Sequence, residues 1–419
     1  MHFNTTILKN KNFLSYWSGG LISGLGDAMF LLALNWMVVE KTNSGFILGT
    51  IMASISLPQI LLVTIGGVIA DRLNPKWVMI ASDAVRGLIM VFLVVMSFDG
   101  VPPMWTLFMM AIIYGCMDAV FFPAQSAFQQ RLVSSEQYTQ SFGLLMISVQ
   151  VAGIAGPVLG GALISKWGYQ LVIVANGLSF VCSILLLLLV KPLPAASADE
   201  AEKERLSFLS DIHVGIRYVL KNHLILTTSL SAFLVNACVQ ATFIAIPFLA
   251  KQAHLGAQGF GLMNMGIGIG GAFAAIFFAF IRIQKPTPRM TFLACFFEGL
   301  AFLGLVFTRA LWPLIGTMLV IGITEAVVNT IAPSVNQKII PPHLIGRVIS
   351  FMIVLMSGSE PLARAFSGWM IQWSGVTVLL ICTGVLEMVV AVIGYFMPVI
   401  RNYASEQAQI MAQDGTMKE

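Results

Sequence analysis

Residues 66–76 read Gly66-Gly67-Val68-Ile69-Ala70-Asp71-Arg72-Leu73-Asn74-Pro75-Lys76. One apolar run, 45–70, leads into this stretch and another, 77–98, leads out of it. Each is long enough to cross a bilayer, which takes roughly 20 apolar residues of helix. The charged residues between them leave room only for a tight turn, so two antiparallel spans meet there. The glycine pair permits close helix approach. Asp71 is expected to accept hydrogen bonds at a helix N-terminus, where negative charge is favoured, and Arg72 and Lys76 to pair with acids nearby. A contact of that kind can latch one half of a molecule against the other. An ordinary charged turn has the same spacing, so spacing alone weights the two readings equally.

Working outward, the same alternation fills the chain. Of 419 residues, 58% are hydrophobic and 10% charged, with a mean hydropathy of +0.87. An average soluble domain carries about 25% charged residues, so the composition excludes a soluble fold. Apolar length and punctuation give spans at about 14–39, 45–70, 77–98, 103–125, 138–165, 169–190, 224–250, 259–282, 290–308, 312–336, 348–372 and 376–398. The expected fold is an all-α membrane protein of twelve transmembrane helices. Internal Gly and Pro are tolerated there because neighbouring helices re-satisfy the backbone. Of 23 Lys and Arg, only Lys41, Lys166, Lys251 and Arg309 fall in segments opposite the N-terminus, and Arg86 and Arg364 lie within spans. Basic residues mark the cytoplasmic side, so both termini are expected inside and the span number is even.

The net charge of +4 gives no reason to expect a nucleic-acid partner. The five cysteines (Cys116, Cys182, Cys238, Cys295, Cys382) lie in apolar runs with no disulfide or metal-ligand spacing, and no metal site is expected. The polar, basic residues 1–13 lack the short apolar segment and cleavage site of a signal peptide.

A linker divides the spans six and six, giving segments 1–190, 191–221, 222–400 and a tail 401–419. Residues 195–205 read as flexible or loosely helical. Phe208, Ile212, Ile216 and Leu220 at four-residue spacing, among Asp211, Arg217 and Lys221, predict an amphipathic helix on the inner membrane surface. The halves echo each other. Gly45-Phe46-Ile47-Leu48 matches Gly259-Phe260-Gly261-Leu262, Pro123 matches Pro333, and Trp167-Gly168 matches Trp373-Ser374-Gly375. Their common offset argues for a parallel duplication of six spans, a build that places a midplane site between halves.

Span five holds Gly153-Ile154-Ala155-Gly156-Pro157-Val158-Leu159-Gly160-Gly161. Small residues three and four apart make one smooth face for a close neighbour, and Pro157 removes a helix hydrogen bond and permits a bend. Plain helix packing accounts for this pattern and is also part of its functional reading.

These motifs resemble the major facilitator superfamily. Gly67-x-x-x-Asp71-Arg72 followed by Lys76 is similar to its loop 2–3 motif, which gates the inner side. Asn74 stands where the family usually has Gly, and Pro75 where it usually has Arg; Pro75 also holds Asn74 extended. Gly153, Gly156, Pro157, Gly160 and Gly161 resemble the antiporter motif of the superfamily's exporters. Gly26-Asp27, Phe121-Phe122-Pro123-Ala124-Gln125 and Arg131-Leu132-Val133 resemble the branch with macrolide-efflux proteins and the enterobactin exporter. That branch is itself similar to the lysophospholipid transporters.

Nine ionisable residues fall within spans: Asp27, Asp83, Arg86, Asp118, Glu298, Glu325, Glu360, Arg364 and Glu387. Such residues are costly and usually functional. Acids outnumber bases, and an unpaired buried carboxyl can carry a proton near neutral pH. Asp83–Arg86 (three apart) and Glu360–Arg364 (four apart, acid first) read as structural ion pairs. The resemblance implies that spans 1, 4, 7 and 10 line the cavity, which singles out Asp27, Asp118 and Glu325 for proton coupling, with Asp27 first. Glu298 and Glu387 fall on spans that are usually peripheral and are expected to sit protonated between helices. Many drug:proton antiporters carry an arginine in span four; here Asp118 is the only charge in that span. Asn236, Gln240 and Asn329 can face a cavity, and Trp36, Tyr114, Phe121 and Phe243 can stack on an apolar or aromatic ligand.

The expected function is export of a lipophilic or amphiphilic small molecule in exchange for protons, by a monomer in the plasma membrane. It needs no cofactor beyond the proton gradient, its partners being substrate, protons and the lipid bilayer. A dedicated exporter of one metabolite, such as a siderophore, and a lysophospholipid flippase are the alternatives. No nucleophile–base pair, metal cluster or phosphate loop suggests an enzyme.

Overall fold

The computed structural model describes residues 7–98, 100–191, 216–281, 286–341 and 344–403. These residues are helices joined by short turns, and no strand occurs among them. After a 3-10 turn, Ile7–Lys9, come α1 Lys11–Thr42, α2 Gly45–Arg72, α3 Pro75–Met96, α4 Met104–Leu132, α5 Ser135–Trp167 and α6 Tyr169–Leu189. Then follow α7 His223–Gln252, α8 Gly256–Phe280, α9 Pro288–Phe307, α10 Leu311–Ile339 and α11 Ile345–Phe396. Eleven helices among the described residues are long and apolar enough to cross a membrane. The last, α11, has 52 residues and is interrupted at Gly375, whose φ of 81° is not helical. The sequence reading breaks the chain at that glycine.

Local chemistry sets the helix ends. Asn10 caps α1 by accepting from the Asn12 and Phe13 amides at 3.0 and 3.2 Å, and Ser44 caps α2. Asn74 caps α3 through the Lys76 amide at 3.1 Å, with Pro75 as the first helical residue, where its missing N–H and fixed φ suit the helix start. The side chain of Asp71 lies outside the described residues, so only the backbone of that position is placed. It lies in the last turn of α2, because Asn74-Pro75 supplies both the stop and the next start. α4 runs to Leu132, about two turns past the predicted end. Apolar length reads only the membrane core, whereas the helix continues through Gln129 and Arg131.

The chain packs as two compact units. One comprises the described residues within Met1–Ser197 and Ile246–Met265; the other, those within Ala198–Ala245 and Gly266–Glu419. In the first, α1 packs mainly on α6 and α5, and α2 on α4. In the second, α9 packs on α11 and α10. Close backbone approach recurs in both. A Cβ on Gly115 would strike the Ile55 carbonyl of α2, and one on Gly322 the Ile267 carbonyl of α8. Of the expected amphipathic helix, only 216–221 lies within the described residues, and it is helical. There Val219 is buried in a core with Leu224, Ile225 and Phe292, and Leu220 is exposed. Phe208 and Ile212 lie outside the described residues.

Candidate functional site

The first unit encloses a charged network built from four helices. Arg86 on α3 is buried, and its guanidinium serves three carboxylates. Nη2 donates to Asp83 Oδ1 at 3.1 Å and Nη1 to Asp118 Oδ1 at 3.3 Å; Asp27 Oδ2 lies 3.7 Å from Nη1. Asp83 precedes Arg86 by one turn, which brings both onto one face of α3. Three rings surround the guanidinium, with centroids at 4.4 Å (Phe121), 5.2 Å (Phe180) and 5.8 Å (Tyr114). They stabilise it through cation–π attraction and screen it from water.

The carboxylates differ in their second partners. Asp83, wholly buried, also accepts from the Ser183 hydroxyl at 2.8 Å. The Tyr114 hydroxyl donates to Asp27 Oδ1, as does Asn176 Nδ2 at 3.4 Å. Side-chain exposure separates them further: 31% for Asp27, 20% for Asp118 and 0% for Asp83. One positive charge thus faces three carboxyls, and the two less enclosed ones share one nitrogen. A buried charge without a counter-charge is costly, and a single guanidinium balances only one of the three carboxylates.

The glycines of α5 position α1. A Cβ on Gly156 would lie 2.5 Å from Ala28 Cβ, and one on Gly160 2.9 Å from the Met29 carbonyl. Both contacts adjoin Asp27. Gly161 faces Ala257 of α8 instead, and Gly153 meets nothing within 4 Å, so the smooth face expected over 153–161 narrows to Gly156, Gly160 and Gly161. On the α6 side, a Cβ on Gly26 would collide with Ser179 and Asn176.

Among the sequence-derived candidates, Asp27, Asp83, Arg86, Asp118 and Tyr114 come together in this one network. Trp36 is buried and stacked on Phe260, centroids 6.1 Å apart. In the second unit, Asn236 donates to the Met356 carbonyl and to Ser359 Oγ at 2.9 and 2.8 Å. Arg364 donates to Glu360 at 3.2 Å and to Gln240 Oε1 at 3.0 Å. Glu325 is half-buried, and Asn329 lines a cavity of about 190 Å³ among α7, α9, α10 and α11. Residues such as Val235, Phe292, Val328, Met352 and Ile353 make that lining largely apolar. In the loop 2–3 motif, Lys76 Nζ donates to the carbonyls of Leu188 and Val190 at 3.2 and 2.7 Å. Its expected partner was an acid; the carbonyls left open at the end of α6 take that place. Arg72 is exposed, Gly67 meets nothing within 4 Å, and Gly66 is the glycine pressed against α4 at Ala119. Asn176, Phe180 and Ser183 were not singled out in the sequence. For Asn176 and Ser183 the signal is a polar residue inside an otherwise apolar span, where an unsatisfied amide or hydroxyl is costly; Phe180 carries no such signal.

A multi-pass bundle with charged side chains enclosed within it is the build of a membrane transporter. The chain belongs to the Major Facilitator Superfamily, which it matches over residues 16–363. It is 24% identical over 392 residues to macrolide efflux protein A of Streptococcus pyogenes, covering 91% of this chain and 94% of that one. It is 21% identical over 382 residues to the multidrug efflux pump Tap of Mycobacterium tuberculosis, covering 88% and 90%. Its fold resembles the crystal structure of the nucleoside transporter NupG, with a TM-score of 0.73, 14% identity, and 91% and 98% coverage.

Proposed function

We propose that this chain is a proton-driven exporter of lipophilic or amphiphilic small molecules in the plasma membrane. It has twelve spans, counted by dividing α11 at Gly375, and both termini inside. A single helix of 52 residues would be about 78 Å long, far more than the roughly 30 Å membrane core requires. The basic bias of the connecting segments supports the orientation.

The observation that carries the coupling is the sharing of Arg86 among Asp27, Asp83 and Asp118. Asp83, sealed from solvent, is the fixed partner of the guanidinium. Asp27 and Asp118 compete for Nη1, and a proton on Asp27 leaves that nitrogen to Asp118. In the cycle, Asp27 takes its proton from the outer side after substrate has left and releases it inside as new substrate arrives. Tyr114 and Asn176 hold Asp27 in place for both steps. Similarity to efflux pumps supports the direction, and the apolar cavity of the second unit suits a lipophilic ligand.

The test is accumulation of a macrolide and of fluorescent lipophilic cations in efflux-deficient cells, with and without a protonophore. Wild type lowers accumulation only with an intact gradient, and Asp27→Asn abolishes the effect at equal membrane abundance. Gradient-independent efflux, or full efflux by Asp27→Asn, overturns the coupling. Accumulation unchanged for every compound points to a dedicated metabolite exporter or a lipid flippase.

A further inference from the structure

The second unit buries two acids that the cycle above does not use. Glu298 on α9 and Glu387 on α11 are 1% and 0% exposed. With Cys295 they form a group whose ligand atoms lie within 4.8 Å of one another. Cys295 and Glu298 are three apart on α9 and share a face; Glu387 comes from the arm of α11 beyond Gly375. That arm lies close because two glycines meet there: a Cβ on Gly299 would lie 2.8 Å from the Gly384 carbonyl, and one on Gly384 2.8 Å from that of Gly299.

Neither Glu387 oxygen, nor Glu298 Oε1, accepts a hydrogen bond from any donor among the described residues. The titratable groups within electrostatic reach are Glu325 on α10 and the thiols of Cys295 on α9 and Cys238 on α7. None brings a positive charge. Two facing carboxylates in such a setting repel, and each loses its hydration. One carboxyl becomes a donor to the other only when it carries a proton, and that single change supplies the missing hydrogen bond and removes one charge. Cys295 also lines the 190 Å³ cavity, so the pair lies one thiol away from space that a ligand or water can enter.

We propose that Glu298 and Glu387 form a second proton-binding site, in which the two carboxyls share a proton, with the Cys295 face of the cavity as its entrance. Because this pair and the Arg86 network lie in different units, either can fail without the other.

The test uses the purified full-length protein in lipid nanodiscs and infrared difference spectroscopy across a pH step. The readout is the carbonyl stretch of a protonated carboxyl and its shift in deuterium oxide. Wild type shows a glutamic acid band, identified by its shift on 13C-glutamate labelling. Glu298→Gln and Glu387→Gln each shift or abolish it, and Asp27→Asn leaves it in place; a band that neither glutamine variant alters overturns the proposal. The labelled wild-type spectrum keeps the proposal testable if a variant does not fold. Absence of any protonated glutamic acid band overturns it. So does a stoichiometric divalent metal in the purified protein that is lost in Glu387→Gln, which would make the trio a metal site.

Discussion

Both units bury acids, but they satisfy them differently. In the first, one guanidinium, a tyrosine hydroxyl, an asparagine amide and a serine hydroxyl are arranged around Asp27, Asp83 and Asp118. In the second, Glu298 and Glu387 meet beside the Cys295 thiol, and three of their four carboxyl oxygens have no hydrogen-bond partner among the described residues. A carboxylate network organised by a cation depends on that cation. Removing it leaves several charges stranded, whereas neutralising one member of an unpartnered pair removes a cost. The two clusters should therefore respond in opposite senses to the loss of one charge.

The largest expected effect comes from Arg86→Leu. Stranding three carboxyls should cost about 3–5 kcal/mol, the usual penalty for breaking a buried ion pair from one side. It is read as lost membrane abundance and a lower thermal midpoint in detergent. Glu387→Gln should leave the midpoint unchanged or raise it; a fall as large as that of Arg86→Leu would erase the contrast between the clusters.

Next comes the seating of α1. Gly156→Val forces a branched side chain into Ala28, next to Asp27, with an overpacking cost of about 1–3 kcal/mol, and efflux should be lost. Gly153→Val, in the same motif but facing open space, should export like wild type. Equal damage from both would mean that the motif acts by something other than contact with α1.

Tyr114→Phe removes the hydroxyl that donates to Asp27 while keeping the ring beside Arg86. A lost hydrogen bond to a charged group is worth about 1.5–3 kcal/mol. The efflux rate per transporter should fall about tenfold or more, with abundance preserved. The smallest effect belongs to Lys76→Met. It deletes two hydrogen bonds to the end of α6, should lower the thermal midpoint only slightly, and should leave proton coupling intact.

Much of the fold was legible because the membrane makes apolar length the dominant signal. The Gly375 break was readable from Trp373-Ser374-Gly375, since a φ of 81° favours glycine. The Asp83–Arg86 pair was readable because both residues lie within one turn. What joins Arg86 to Asp27 and Asp118 was not, because those partners lie on α1 and α4 and only packing brings them near. The choice of Gly66 over Gly67 as the contact glycine had the same cause: helix rotation decides it, and an all-apolar span carries no periodicity to reveal rotation. Trp36 illustrates the reverse problem. An aromatic ring in an apolar run suits a ligand and a neighbour equally, and here it has Phe260.

The most direct test of the account is proton movement itself. In proteoliposomes with an internal pH dye, adding a macrolide or a fluorescent lipophilic cation should trigger proton flux through wild-type protein. Asp27→Asn should bind the same compound and move no protons. Substrate-dependent proton flux through Asp27→Asn equal to that of wild type would contradict the assignment of the Arg86 network as the coupling site.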